Sequence, residues 1–213
     1  MEPPEDADSR ARYLDVMIPT IRTTWLREIA EFKSKDVLNS VQHTSRLLDQ
    51  AYKLDKDLNI GRHILSITNN INLYEVSNKP VSEFINSVRK HHSGKAIILD
   101  LWATWCSPCI EDMKKSKSLK TEIEDLPLSI VYLCSSEGST SEKWQRKVAE
   151  TETKGDHLYL DNKLSTQIME FFQLSGYPSF IYIDSEGSYH PKIIRQLSSM
   201  SADEIRKIVR KYP

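Results

Sequence analysis

Ile97-Ile98-Leu99-Asp100-Leu101-Trp102-Ala103-Thr104-Trp105-Cys106-Ser107-Pro108-Cys109 is the stretch whose reading decides the fold. Its apolar, β-branched run reads as a buried strand that ends at a short polar turn. Two cysteines with Ser107 and Pro108 between them follow at once, and then a polar, helix-favouring segment from Ile110 to Lys120. The order is therefore strand, dithiol, helix. A cysteine at a helix N-terminus faces unpaired backbone N–H groups and the positive end of the helix dipole, and both favour thiolate over thiol. Pro108 falls in the first turn, where its missing N–H costs nothing.

Working outward, Trp-Cys-Ser-Pro-Cys preceded by Leu-Trp-Ala-Thr resembles the active-site segment of thioredoxin-fold proteins. The resemblance is closest to the TlpA-like thiol–disulfide oxidoreductases of bacteria. Asp100 matches the buried acid that thioredoxins carry ahead of the first cysteine. A second motif downstream, Gly176-Tyr177-Pro178-Ser179-Phe180-Ile181-Tyr182-Ile183-Asp184, is similar to the family's cis-proline loop and the strand it leads into. Two motifs in the right order, with strand and helix signals between them, say more than an isolated CxxC, a spacing that zinc sites also use. The resemblance runs from about Asn70 to Tyr212. It implies an α/β, thioredoxin-like fold, a mixed central sheet flanked by helices, with a TlpA-like insertion. On this reading residues 1–70 are an N-terminal helical extension and residues 71–213 the thioredoxin-like domain.

The totals agree with a folded chain that needs no staples. Its 213 residues can bury a good core. Basic and acidic residues nearly balance at 29 and 30, so nothing suggests a nucleic-acid partner or an anionic membrane surface. Mean hydropathy is −0.49, and Asp100 interrupts the longest apolar run, so no membrane span is expected. The chain has 3 cysteines, two of them in the CxxC, which makes the pair more plausibly catalytic than part of a disulfide framework. The segment Met1-Glu2-Pro3-Pro4-Glu5-Asp6-Ala7-Asp8 is acidic and lacks the basic-then-apolar pattern of a signal peptide. Taken literally that indicates the cytoplasm. The TlpA resemblance implies instead an extracytoplasmic protein, periplasmic or membrane-tethered, whose leader has been removed.

Along the chain, Leu14, Ile18, Ile21, Trp25, Ile29 and Phe32 recur at helical spacing, with a kink or break expected at Pro19. A second helix is expected from about Lys35 to Leu54. The segment from Leu58 to Asn72 is ambiguous between helix and strand. A strand over Asn72–Val76 and a helix over Val81–His91 then lead to the central strand. His91 and His92 invite a zinc reading, but they lie upstream of a buried strand and adjacent histidines point apart, so no metal site is expected. Further strands are expected at Leu128–Cys134, His157–Leu160 and Ser179–Asp184, the last forming a hairpin with Lys192–Gln196. Helices are expected at Ser141–Glu150, Leu164–Phe172 and Met200–Tyr212, with Ser201 a candidate N-cap of the last.

The chemistry follows from thiol–disulfide exchange, in which a thiolate attacks a disulfide sulfur. Cys106, first in its helix, is the candidate nucleophile, exposed and partly ionised; in comparable motifs the pKa falls from about 8.5 to between ~3.5 and ~7.5. Cys109 is the more buried resolving thiol. Asp100, at the end of a buried strand, should have a raised pKa and serve as proton acceptor for Cys109. The resemblance makes Pro178 a cis-proline and gives the backbone of Tyr177 to an extended substrate segment. Trp105 is a candidate apolar contact beside the dithiol, and Cys134 reads as a buried, inert thiol. No cofactor is called for. The resemblance implies protein dithiol and disulfide substrates and a membrane-bound electron donor. It favours a reductant, with a disulfide oxidant or isomerase on the same scaffold as the alternative. A partner-binding module with an incidental dithiol is a further reading. A peroxidase is disfavoured because Ala103 stands where a Thr-x-x-Cys pattern would need threonine.

Overall fold

Eight consecutive buried residues, Ala96–Ala103, form β3, the central strand of a seven-stranded sheet. A strand buried on both faces must be covered on both, and its side chains alternate between two cores. Ile97, Leu99 and Leu101 join one cluster, and Ile98 and Trp102 point into the clusters of the opposite face. The computed structural model describes residues 16–20, 22, 24, 26, 30–31, 60–68 and 70–213. Backbone contacts divide the chain into two units, Met1–Asp57 and Leu58–Pro213.

The second unit contains β1 (Arg62–Thr68), β2 (Ile71–Val76), α1 (Val81–His91), β3, α2 (Ser107–Lys115), α3 (Lys117–Glu122) and β4 (Leu128–Ser135). It continues through α4 (Ser141–Thr151), β5 (Gly155–Leu160), α5 (Asn162–Phe171), β6 (Ser179–Ile183), β7 (Tyr189–Pro191) and α6 (Ala202–Lys211). The strand order is β1-β2-β5-β4-β3-β6-β7. The inner strands β2, β5, β4 and β3 run parallel; β1, β6 and β7 are antiparallel to their neighbours. Side chains of α1 and α5 cover one face, through Phe84, Ile85, Val88, Leu164 and Ile168. Helices α2, α3, α4 and α6 cover the other, through Met113, Leu119, Trp144 and Ile205. This is the mixed sheet flanked by helices expected of a thioredoxin-like fold.

One open segment is settled and three local expectations are corrected. The ambiguous segment before Asn72 is a strand: Arg62–Thr68 pairs antiparallel with β2, so the sheet begins upstream of residue 71 and the unit boundary lies at Asp57/Leu58. The helix after the dithiol is two helices parted at Ser116, whose buried hydroxyl donates to the Asp112 carbonyl at 2.7 Å. The hairpin partner of β6 is Tyr189–Pro191 and not Lys192–Gln196, because the chain turns at Lys192 with φ +71°. Asp100 lies inside β3, paired with Tyr132 and Phe180, and not at the strand's end. Around Pro19 the backbone forms a 3-10 turn, Ile18–Thr20, where a break was expected. Positions 16, 17, 24, 26, 30 and 31 of the first expected helix are helical; the rest of it, and all of the second helix expected from about Lys35 to Leu54, lie outside the described residues. Among those residues, no helix is long and apolar enough to cross a membrane.

Candidate active site

The parallel strands deliver their C-terminal ends to one edge of the sheet, and the dithiol sits there. After Ala103 the chain makes a tight turn, with the Cys106 N–H donating to the Ala103 carbonyl at 3.0 Å, and enters α2. Cys106 is the N-cap of that helix. Its sulfur accepts from the backbone N–H of Cys109 at 3.3 Å, so one otherwise unpaired helix-end donor already points at it. Pro108 falls in the first turn as expected. Cys106 and Cys109 are joined in a disulfide with their Cα atoms 5.4 Å apart, an ordinary separation for such a bond. Cys106 is less exposed than its sequence position implied: it is 4% accessible against 1% for Cys109. The cause is the apolar cluster that receives the first turn of α2, including Trp102, Met113 and Trp144.

Pro178 follows a cis peptide bond from Tyr177. Ser179, at the start of β6, pairs with Leu101, which brings this loop to the end of β3 from which the dithiol turn departs. The Tyr177 side chain packs against the cluster that contains both cysteines. Its ring meets the Trp105 ring edge-on at 5.8 Å between centroids. Trp105 is 55% exposed, an unusual position for an indole. It is held by its own N–H, which donates to the Glu137 carbonyl at 2.8 Å. Gly138, at φ +64°, lets the loop pass under that ring, where an added Cβ would lie 3.1 Å from the indole nitrogen. Trp105 and Tyr177 thus form an aromatic wall beside the dithiol.

Asp100 lies on the same strand, β3, that leads into the dithiol turn. Its place in β3 turns the carboxyl toward the face covered by α2 and α3, and it is almost wholly buried. Burial pushes its pKa up from 3.8 to about 7, the Lys120 ammonium pulls against that rise, and the Asp112 carboxylate adds to it. Lys120, on α3, is shifted the other way: burial lowers its pKa, although Asp100 and Asp112 hold it up. Burial thus gives Asp100 a pKa in the range in which a general acid–base group is most effective.

Residues 94–189 match the model of a family described as thioredoxin-like. Those residues carry the thioredoxin-like fold described above. Within it lie the dithiol, the buried acid and the cis-proline loop. The domain is similar to the thioredoxin-like protein YneN of Bacillus subtilis (strain 168), 31% identical over 94 residues, or 44% of this chain and 53% of that protein. The chain thus matches about half the length of that curated relative. Among solved structures it is similar to the thioredoxin domain of a Bacteroides vulgatus thiol-disulfide oxidoreductase, at 20% identity and TM-score 0.48, over 55% of this chain and 81% of that one. A thioredoxin-family thiol:disulfide interchange protein of Chlorobium tepidum aligns over 57% and 81% of the two chains, at 17% identity and TM-score 0.46.

Two residues of the thioredoxin-like domain escaped the sequence reading. Lys120 was not singled out by the sequence, and in the structure its ammonium lies 5.1 Å from the centre of the Tyr132 ring. Asp112 is buried and accepts from the backbone N–H groups of Leu197 and Ser198 at 3.3 and 2.7 Å. Neither carries a local sequence signal, since both partnerships span distant parts of the chain. Cys134 is a free, buried cysteine, and burial pushes its thiol far up.

Proposed function

We propose that the thioredoxin-like domain is a thiol–disulfide oxidoreductase that reduces disulfides of protein substrates. The observation that supports it most is the helix-capping dithiol at the end of the strand that carries Asp100, a buried carboxyl whose pKa is raised to about 7. In the reduced form the Cys106 thiolate attacks one sulfur of a substrate disulfide. The substrate S–S bond breaks, one substrate thiolate leaves and takes a proton, and a mixed disulfide remains on Cys106. Cys109 gives its proton to ionised Asp100 and attacks the Cys106 sulfur. The mixed disulfide breaks, the second substrate sulfur leaves as a thiolate and takes the proton from Asp100, and the Cys106–Cys109 disulfide forms. Two electrons and two protons pass to the substrate for each turnover. Trp105 and Tyr177 flank the extended substrate segment, with the backbone beside Pro178 offering strand-like hydrogen bonds. An external dithiol donor must restore the reduced state. With the TlpA resemblance, a membrane-bound donor and an extracytoplasmic location belong to the same reading.

The test is insulin reduction driven by dithiothreitol, together with equilibrium titration against glutathione. Turnover lost in Cys106→Ser, and a stable mixed disulfide formed by Cys109→Ser, are the expected results. A midpoint near the roughly −270 mV of thioredoxin supports a reductant, and one near the roughly −120 mV of DsbA replaces it with an oxidant. Full activity in Cys106→Ser overturns the proposal.

A further inference from the structure

His91 and His92 were expected to point apart. In the structure both imidazoles converge on one carboxylate, Asp156 of β5. His91 Nε2 lies 3.4 Å and His92 Nε2 3.3 Å from the same oxygen, Oδ2. The reason is that α1 ends at His91: His92 is its C-cap, with φ −104° and ψ 32°, and leaves the helical path that would have turned its ring away. The rings then lie 4.9 Å apart, edge to face.

We propose that His91, His92 and Asp156 form a site for a single divalent cation of the zinc class. Three observations carry it. First, a tetrahedral ion with Zn–N and Zn–O bonds of about 2.0–2.1 Å places its ligand atoms about 3.3 Å apart. Both Nε2–Oδ2 separations match that edge, and the three donor atoms all lie within 4.8 Å of one another. Second, the carboxylate is oriented from behind. Asn72 Nδ2 donates to Oδ1 at 2.9 Å, which leaves Oδ2 facing the imidazoles, the outer-shell support that ligating carboxylates carry. Third, His92 Nε2 is buried and lacks a hydrogen bond of acceptable alignment among the described residues, although Oδ2 is within ion-pair range. With its proton on Nδ1, each histidine offers Nε2 as a lone-pair donor. Two imidazoles and one carboxylate suit zinc, and cobalt or nickel as its chemical neighbours. His92 and Asp156 line a cleft of about 470 Å³ that also carries Lys95, Lys117, Lys120 and Lys154, with room for a water or small anion to complete the shell.

The place is distinct from the dithiol. Asp156 lies near the N-terminal end of β5, and the histidines lie in the connection from α1 to the N-terminal end of β3. The dithiol follows the C-terminal end of β3. A bound ion would staple the α1–β3 connection to β5, so its effect falls on stability and not on exchange chemistry.

The experiment uses the untagged full chain in its oxidised form, so that the dithiol offers no thiolate to the metal. Zinc chloride is titrated by calorimetry and cobalt chloride by visible absorption. We expect one ion per chain, a rise in Tm, and intense tetrahedral d–d bands with cobalt. His91→Gln, His92→Gln and Asp156→Asn should each weaken zinc binding by about 100-fold, and Asn72→Ala by about tenfold. Insulin reduction by His91→Gln should equal that of the parent. His91 is partly exposed, so this variant tests the site even if the buried substitutions disturb the fold. Absence of saturable binding at 100-micromolar zinc, octahedral cobalt bands, or unchanged affinity in His91→Gln would each overturn the assignment.

Discussion

Asp100 is the residue at which burial and reactivity meet. Its folded-state pKa is raised from 3.8 to about 7, mainly by burial. The unfolded chain gives up this proton near pH 4, and the folded protein keeps it to about pH 7. The folded state therefore binds more protons across that window, and stability falls as pH rises through it. Asp100→Asn removes the loss. We expect the variant to be more stable than the parent above about pH 7 by roughly 2 kcal/mol, less than the bare shift implies because Lys120 loses its partner. The gain should vanish below about pH 4, as urea unfolding at several pH values will read. The same variant should slow release of the mixed disulfide and lose the step near pH 7 in its single-turnover rate. An unchanged pH–rate profile would remove Asp100 from the mechanism. The acid was legible in the sequence from its position within the apolar run. Lys120, which opposes the rise, was not, because burial of a lysine stem depends on how a distant helix is set down.

At the scale of elements, the active-site helix is positioned from both ends. Its N-terminus carries the dithiol, and near its other end Asp112 accepts from the N–H groups that open the 3-10 turn Leu197–Ser199. Without the carboxylate those two donors lose their partner. A buried unsatisfied donor costs about 1–3 kcal/mol, so Asp112→Ala should destabilise the fold by about 2 kcal/mol with an unchanged urea m-value. It should also move the Asp100 step to lower pH, since the Asp112 charge helps to raise it. The capping of α6 was readable locally: Ser201 accepts from Glu204 N–H, and Glu204 reaches back to the Ser201 N–H at 2.8 Å. The break at Ser116 and the short β7 were not, because each is fixed by what it packs against and not by its own periodicity.

For the whole molecule, the sheet decides which sulfur can react. Cys134 lies at the end of β4 under the helices of one face, fully buried. Iodoacetamide should label the reduced native protein at Cys106, with Cys109 and Cys134 reacting only after denaturation; labelling of Cys134 in the native state would contradict this packing. The succession of strands and helices along most of the chain and the dithiol turn were set by local signals, namely apolar runs and a cysteine spacing, and the proline loop by its resemblance to the family's motif. Such signals act over a few residues, so the sequence alone carries them. Tertiary structure decided which distant groups meet: Lys120 beneath Asp100, Asp112 at residues 197 and 198, and two histidines on Asp156. Those encounters depend on register and helix placement across the sheet, and nothing in a single chain segment encodes the partner on the other side.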